Sequence, residues 1–215
     1  MQLMQFLVKA INEMDGQENE IQELVSDKKQ NFLVNLQKTR FLAQLEFQKR
    51  IFASDIKYSQ IVTPDYYENV NRKKLQNFFA ENYLNGLTKI AVVGNFEEKQ
   101  IEDIIQLFQP WACTKDLQYI SDIQNEAGNF HIVKGDAMQS AVRVGRILFN
   151  KKHADYHDFM ILNTILGDYF GSRLMTNIRE DKGYTYGIGS MVVEYNNFGY
   201  FMIGTEVGKE VKDNT

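Results

Sequence analysis

The sequence has three histidines, and two of them stand four residues apart in His153-Ala-Asp-Tyr-His157. On a helix, that spacing turns two imidazoles to one side, as a shared zinc requires. Hydrolysis at such a metal also needs a third protein ligand and a carboxylate as general base. Here Tyr156 occupies the place that an H-x-x-E-H signature gives its glutamate, and Lys151 and Lys152 adjoin the pair. A solvated helix entrance accounts for these residues better than a metal centre does. His131 falls in a strand-like run and reads as structural. The carboxylates scatter over helix faces, and no two are marked out as an acid and base pair. Gly183-x-x-x-Gly187-x-Gly189 precedes a strand pattern, whereas a phosphate loop follows a strand and opens a helix. Cys113 is the one cysteine, so there is no internal disulfide framework and no Cys-rich zinc module. It also lacks the surroundings that make a thiol reactive. These residues assign no catalytic group and no metal ligand.

The elements that would carry chemistry belong to a folded chain. Of 215 residues, 44% are hydrophobic and 13% aromatic, too rich in large apolar side chains for disorder. Twenty-four basic and 28 acidic residues leave a net charge of -4, which gives no electrostatic case for nucleic acid. No apolar run reaches the ~18–20 residues of a membrane-spanning helix. Helical periodicity covers 1–14, about 17–50 and about 66–83, with Asn85-Gly86 as a stop signal. A β-branched run, Leu87–Phe96, predicts a buried strand, and Ile101, Ile104, Ile105 and Phe108 predict an amphipathic helix over 97–108. Residues 112–128 are polar and irregular, a linker pattern. Strand patterns return at Phe130–Val133 and Ala141–Phe149, and helices are predicted from about 156 and over 171–180. Tyr186–Tyr195 and Phe198–Val207 form a hairpin around Asn196-Asn197. Both ends read as cut from a longer chain, so the lack of a signal-peptide pattern leaves the compartment unknown: cytoplasmic or periplasmic, and soluble.

One stretch is more specific than any of these patterns. Leu162-x-x-Ile165-Leu-Gly167, Ser172-Arg-Leu174 and Ile178-Arg-Glu-x-x-Gly183-x-x-Tyr186 follow in order. Together they resemble the second repeat of the M16 zinc metallopeptidases, the family of pitrilysin and the mitochondrial processing peptidase. Gln139-Ser-Ala-Val-Arg-Val-Gly145 resembles the strand before that block, and Tyr83 through Ile90-Ala-Val-Val-Gly94 the end of the preceding repeat.

The resemblance implies an α+β fold, an αβ sandwich whose largely antiparallel sheet has helices on one face. It implies two partial repeats: 1–112 as the later part of a first, 113–128 as a linker, and 129–215 as the early part of a second. It also implies a role. The chain would be part of the non-catalytic half of a peptidase, with zinc, the expected cofactor, in a zinc-bearing M16 partner subunit or half. No H-x-x-E-H occurs in the sequence, and Asp27-Lys-Lys-Gln-Asn31 puts Lys and Asn where a catalytic half is rich in Glu. The family's substrate-binding pair falls on Arg179 and Tyr186, two donors suited to a peptide carbonyl. Their bland reading is a helix-end arginine offsetting the dipole and a tyrosine packed in the sheet. Arg173 reads as structural, fixing its helix against the sheet. The alternatives are an M16-like scaffold subunit with no peptidase role, or a piece of a catalytic chain whose zinc motif lies upstream.

Overall fold

The computed structural model describes residues 2–13, 16–53, 56–114 and 123–215. Contacts divide the chain into two units: Met1–Asn31 with Thr63–Leu117, and Phe32–Val62 with Gln118–Thr215. This is a division by packing rather than by repeat. Half of the expected 113–128 linker, residues 115–122, lies outside the described residues.

The first unit is helical. Helices α1 (Gln2–Asn12), the first part of α2 (Glu18–Leu36), α5 (Pro64–Glu68), α6 (Arg72–Phe78) and α7 (Glu98–Phe108) form it, and α6 runs on as a π-helical turn, Phe79–Tyr83. Two of the expected long helices are broken. The pattern over 17–50 stops at Gln37-Lys38, where the Lys38 N–H bonds to the Asn35 carbonyl and α3 (Thr39–Ile51) starts afresh. The pattern over 66–83 is interrupted before Asn71, whose side chain accepts the Lys74 N–H at 3.0 Å and caps α6. Helix α7 opens with a capping box between Glu97 and Gln100 and buries Ile104. The strand expected over 87–96 does not form. Leu87 makes a single bridge to Ala112, and Val93 is 95% exposed. A β-branched run becomes a strand only where a neighbour takes its backbone groups, and beyond that bridge none of the described residues does so.

The second unit holds the sheet. Strands β1 (Gln139–Leu148), β2 (Thr185–Glu194) and β3 (Gly199–Gly208) pair antiparallel in the order β1-β3-β2. This is the predicted hairpin with the predicted first strand added to its far side. The run at Phe130–Val133 stays outside the sheet, with Val133 93% exposed. Alternation along β3 gives the sheet two faces. Phe201, Ile203, Thr205 and Val207 lie on one, which α8 (Tyr156–Gly167) and a π-helical segment (Met175–Asp181) cover. Phe159 meets Phe201 edge-on, and Met175, Ile178 and Ile188 cluster with Ile203. Gly167 comes so close to Ser190 that a Cβ would stand 2.6 Å from its backbone N.

The other face carries Tyr200 and Met202, and α3 with the short α4 (Ile56–Ser59) packs there. Phe52 lies against the rings of Tyr58, Tyr195, Phe198 and Tyr200, and Phe47 against Tyr200. The α+β class and the antiparallel sheet are those expected, and α3 adds a cover on the face that the strand pattern left open. Asn150, buried, ties the end of β1 to the hairpin turn: its amide donates to the Asn196 carbonyl at 2.7 Å, and its Oδ1 accepts the Lys152 N–H at 3.1 Å.

Candidate functional site

The residues around Arg179 and Tyr186 follow from how α8 ends. After Gly167 and Asp168 the chain turns through Tyr169-Phe170-Gly171, and the Ser172 N–H bonds to the Tyr169 carbonyl. Ser172 is fully buried, and its carbonyl accepts the Thr176 N–H as the next helix begins. From Met175 that helix widens to π geometry, so that Lys182 N–H reaches the Asn177 carbonyl five residues back. Such wide turns recur at functional sites because they re-aim the side chains they carry. Gly183, at φ +66°, supplies the left-handed residue that ends the helix. The Tyr184 N–H then closes on the Ile178 carbonyl at 3.0 Å, and the Tyr184 ring joins the Met175–Ile178–Ile188 cluster.

Arg179 is half-buried in the last turn of this segment. Its guanidinium lies 4.4 Å from the centre of the Phe170 ring, and among the described residues it forms no ion pair. Phe170 is itself 65% exposed. The ring holds the guanidinium by its face and leaves the N–H groups at the guanidinium edge for another acceptor. Sequence reasoning missed Phe170. The only signal it gave was a large aromatic residue in a turn between two glycines.

Tyr186 is 92% exposed. The reason is a β-bulge. Thr185 pairs with Val207 and Ile188 with Thr205, so Tyr186 and Gly187 together oppose the single residue Glu206. The structure thus places one donor at the helix end, over an aromatic ring, and the other in solvent at the start of β2. The bland reading of a tyrosine packed in the sheet does not hold for Tyr186.

Other expectations change. Arg173 is exposed and forms no hydrogen bond or ion pair among the described residues, so it does not fix the helix to the sheet. Buried Met175 does that, packing against Ile188 of β2. His153 lies before α8 begins and so shares no helix face with His157. Its ring stacks on Phe149 at 4.1 Å, and its Nδ1 accepts the Asp155 N–H. Among the described residues no group of three His, Cys, Asp or Glu side chains could hold a metal. The donor set of the described residues therefore does not fit a zinc centre. Among them, too, no helix is long and apolar enough to cross a membrane.

Comparison with known proteins adds the context. The family model of the peptidase M16 inactive domain matches residues 69–215. An uncharacterised zinc protease, YmxG, of Bacillus subtilis (strain 168) is 25% identical over 150 residues, which are 68% of this chain and 36% of that protein. A peptidase M16 inactive domain from Pseudomonas fluorescens superposes with a TM-score of 0.86 at 22% identity, over 98% of this chain and 52% of its own. A protease from Helicobacter pylori gives 0.73 at 14% identity, over 96% of this chain and 52% of its own. The chain thus spans about half of these solved chains and about a third of the curated relative.

Proposed function

Because the chain belongs to the peptidase M16 inactive-domain family, we propose that it is part of the non-catalytic half of a zinc metallopeptidase and that Arg179 and Tyr186 hold the peptide to be cut. The partner is a zinc-bearing M16 subunit, or another half of the same polypeptide. Zinc there would supply the hydrolytic chemistry, and the described residues of this chain would supply no ligand to it. What this chain contributes is hydrogen-bond donation. A guanidinium and a phenol can both reach a backbone carbonyl, and a donor fixed in place before the reaction begins needs no reorganisation as charge develops on that oxygen. The observation that carries the reading is the exposure of Tyr186 in a bulge of β2, together with an Arg179 whose charge no described carboxylate neutralises. A tyrosine kept for packing has no reason to stand almost wholly in water.

The test is assembly. The full parent polypeptide, purified with and without the zinc-bearing half, should hydrolyse a fluorogenic peptide only when both are present. Binding of the same peptide by the complex should weaken when Arg179 is changed to Ala. Undiminished hydrolysis and binding in that variant would leave a scaffold subunit as the better description.

A further inference from the structure

Two threonines, Thr205 buried and Thr185 half-buried, meet under the exposed tyrosine. Continued regularly past Ile188, the ladder would pair Tyr186 with Val207, a residue with no exposure, and turn the phenol inward beside Ile188. The bulge prevents this by inserting one residue, so that Thr185 takes the inward place and Tyr186 is released to solvent. Two hydroxyls hold the bulge. Thr185 Oγ1 accepts the Gly187 N–H at 3.1 Å and lies 2.7 Å from the Glu206 carbonyl, to which it donates. Thr205, 3% exposed, has its Oγ1 2.9 Å from the Gly187 carbonyl and 2.9 Å from Thr185 Oγ1. Each hydroxyl has one proton to give. With Thr185 donating to Glu206 and Thr205 to Gly187, the N–H and the carbonyl of Gly187 are both satisfied by side chains in place of the ladder. Glu206, the residue facing the bulge, is fixed from the other side by Arg143, whose Nη2 is 2.9 Å from its carboxylate and whose Nη1 is 3.1 Å from the Thr205 carbonyl.

From this we infer that Thr185 and Thr205 are positioning residues for Tyr186: their hydroxyls hold the bulge that presents the phenol to a peptide. The inference rests on the peptide-binding reading above, and its test separates the two. Thr185→Val and Thr205→Val remove the hydroxyls at nearly constant volume, while Thr185→Ser and Thr205→Ser keep them. The probe is a fluorescein-labelled 15-residue peptide of alanine, glycine and glutamine, which offers backbone carbonyls and no charged side chain. Its binding to the full chain is followed by fluorescence anisotropy. Exchange of the Gly187 amide proton is followed by NMR, and thermal melting confirms folding.

In the Val variants the Gly187 amide should exchange at least tenfold faster. Peptide affinity should fall to that of Tyr186→Phe, about 3–10-fold below the parent, which is the worth of one hydrogen bond. Tyr186→Phe should cost nothing further in a Val background, and the Ser variants should restore both readouts. Unchanged Gly187 exchange in the Val variants overturns the clamp, as does a Tyr186→Phe loss that simply adds to theirs. If the clamp loosens as expected but Tyr186→Phe leaves the parent's affinity untouched, the peptide-binding reading fails and the positioning role fails with it, leaving a structural bulge. Should Thr205→Val not fold, the less buried Thr185→Val gives the same measurements.

Discussion

Each of the two donors is set by its immediate surroundings. Arg179 rests on Phe170 at 4.4 Å, and Tyr186 leaves the sheet at a bulge. Neither side chain is needed to fill the core, so replacing either should change recognition more than stability. In the assembled peptidase, Arg179→Ala or Tyr186→Phe should lower kcat/KM by ~10²–10³ if the donor acts mainly on the transition state, with the melting temperature nearly unchanged. A loss confined to a raised KM would make the contact a ground-state one. Phe170→Ala should weaken peptide binding less, because it removes the support and keeps the donor; a cation–π contact at an exposed site is worth about 0.5–1 kcal/mol. Arg173→Ala, at an exposed position without partners among the described residues, serves as the control and should leave kcat/KM and melting where they were.

The elements that position the site are joined by contacts that tolerate little change. Phe52, almost fully buried among four aromatic rings, holds α3 to the sheet. Phe52→Ala should destabilise the chain by about 3–5 kcal/mol in chemical denaturation, the usual cost of removing a buried aromatic ring. At Gly167 a Cβ would stand 2.5 Å from Ser190 Oγ and 2.6 Å from its backbone N, which must push α8 off β2. Gly167→Ala should cost about 1–3 kcal/mol for this overpacking, and the site should loosen with it, since α8 leads directly into the Tyr169–Gly171 turn. The same aromatic cluster sets an alkaline limit. Burial raises the phenol pKa of Tyr195 and of Tyr200 above the ordinary 10.0, with Tyr58 and Tyr195 respectively adding to it. Raised folded values mean that this stability is intact below pH ~10, where the unfolded phenols begin to ionise, and is lost as pH climbs through the folded values. A pH titration followed by circular dichroism should show unfolding setting in above pH 10, and later in a Tyr200→Phe variant.

At the scale of the whole molecule, the prediction is incapacity. Purified alone, the chain should hold no stoichiometric zinc by elemental analysis and should hydrolyse no peptide, because its described residues assemble no three-ligand set with a general base. One tightly bound zinc per chain would overturn this. Much of the ground for that prediction is legible in the sequence. Scarce histidines and a lone cysteine argued against a metal site, and the ordered blocks from Leu162 to Tyr186 were enough to give the family. The hairpin was legible as well, since alternation and the Asn196-Asn197 turn are local signals. What stayed illegible depended on partners distant in the chain. The runs at 87–96 and 130–133 have strand composition, but backbone pairing is a property of two segments, and no described segment comes to meet them beyond the Leu87–Ala112 bridge. The covering of the second face by α3 depended on Phe47 and Phe52 meeting Tyr200, about 150 residues later in the chain. The bulge is the sharpest case. Read along the strand, Tyr186 alternates with Ile188 and should face the core. Only the register against β3, fixed by the hydroxyls of Thr185 and Thr205, turns it outward. Residue type and spacing determined which donors this protein has; the packing of one strand against another decided that one of them stands in water, because a side chain's face is set by register and register is not written within a single strand.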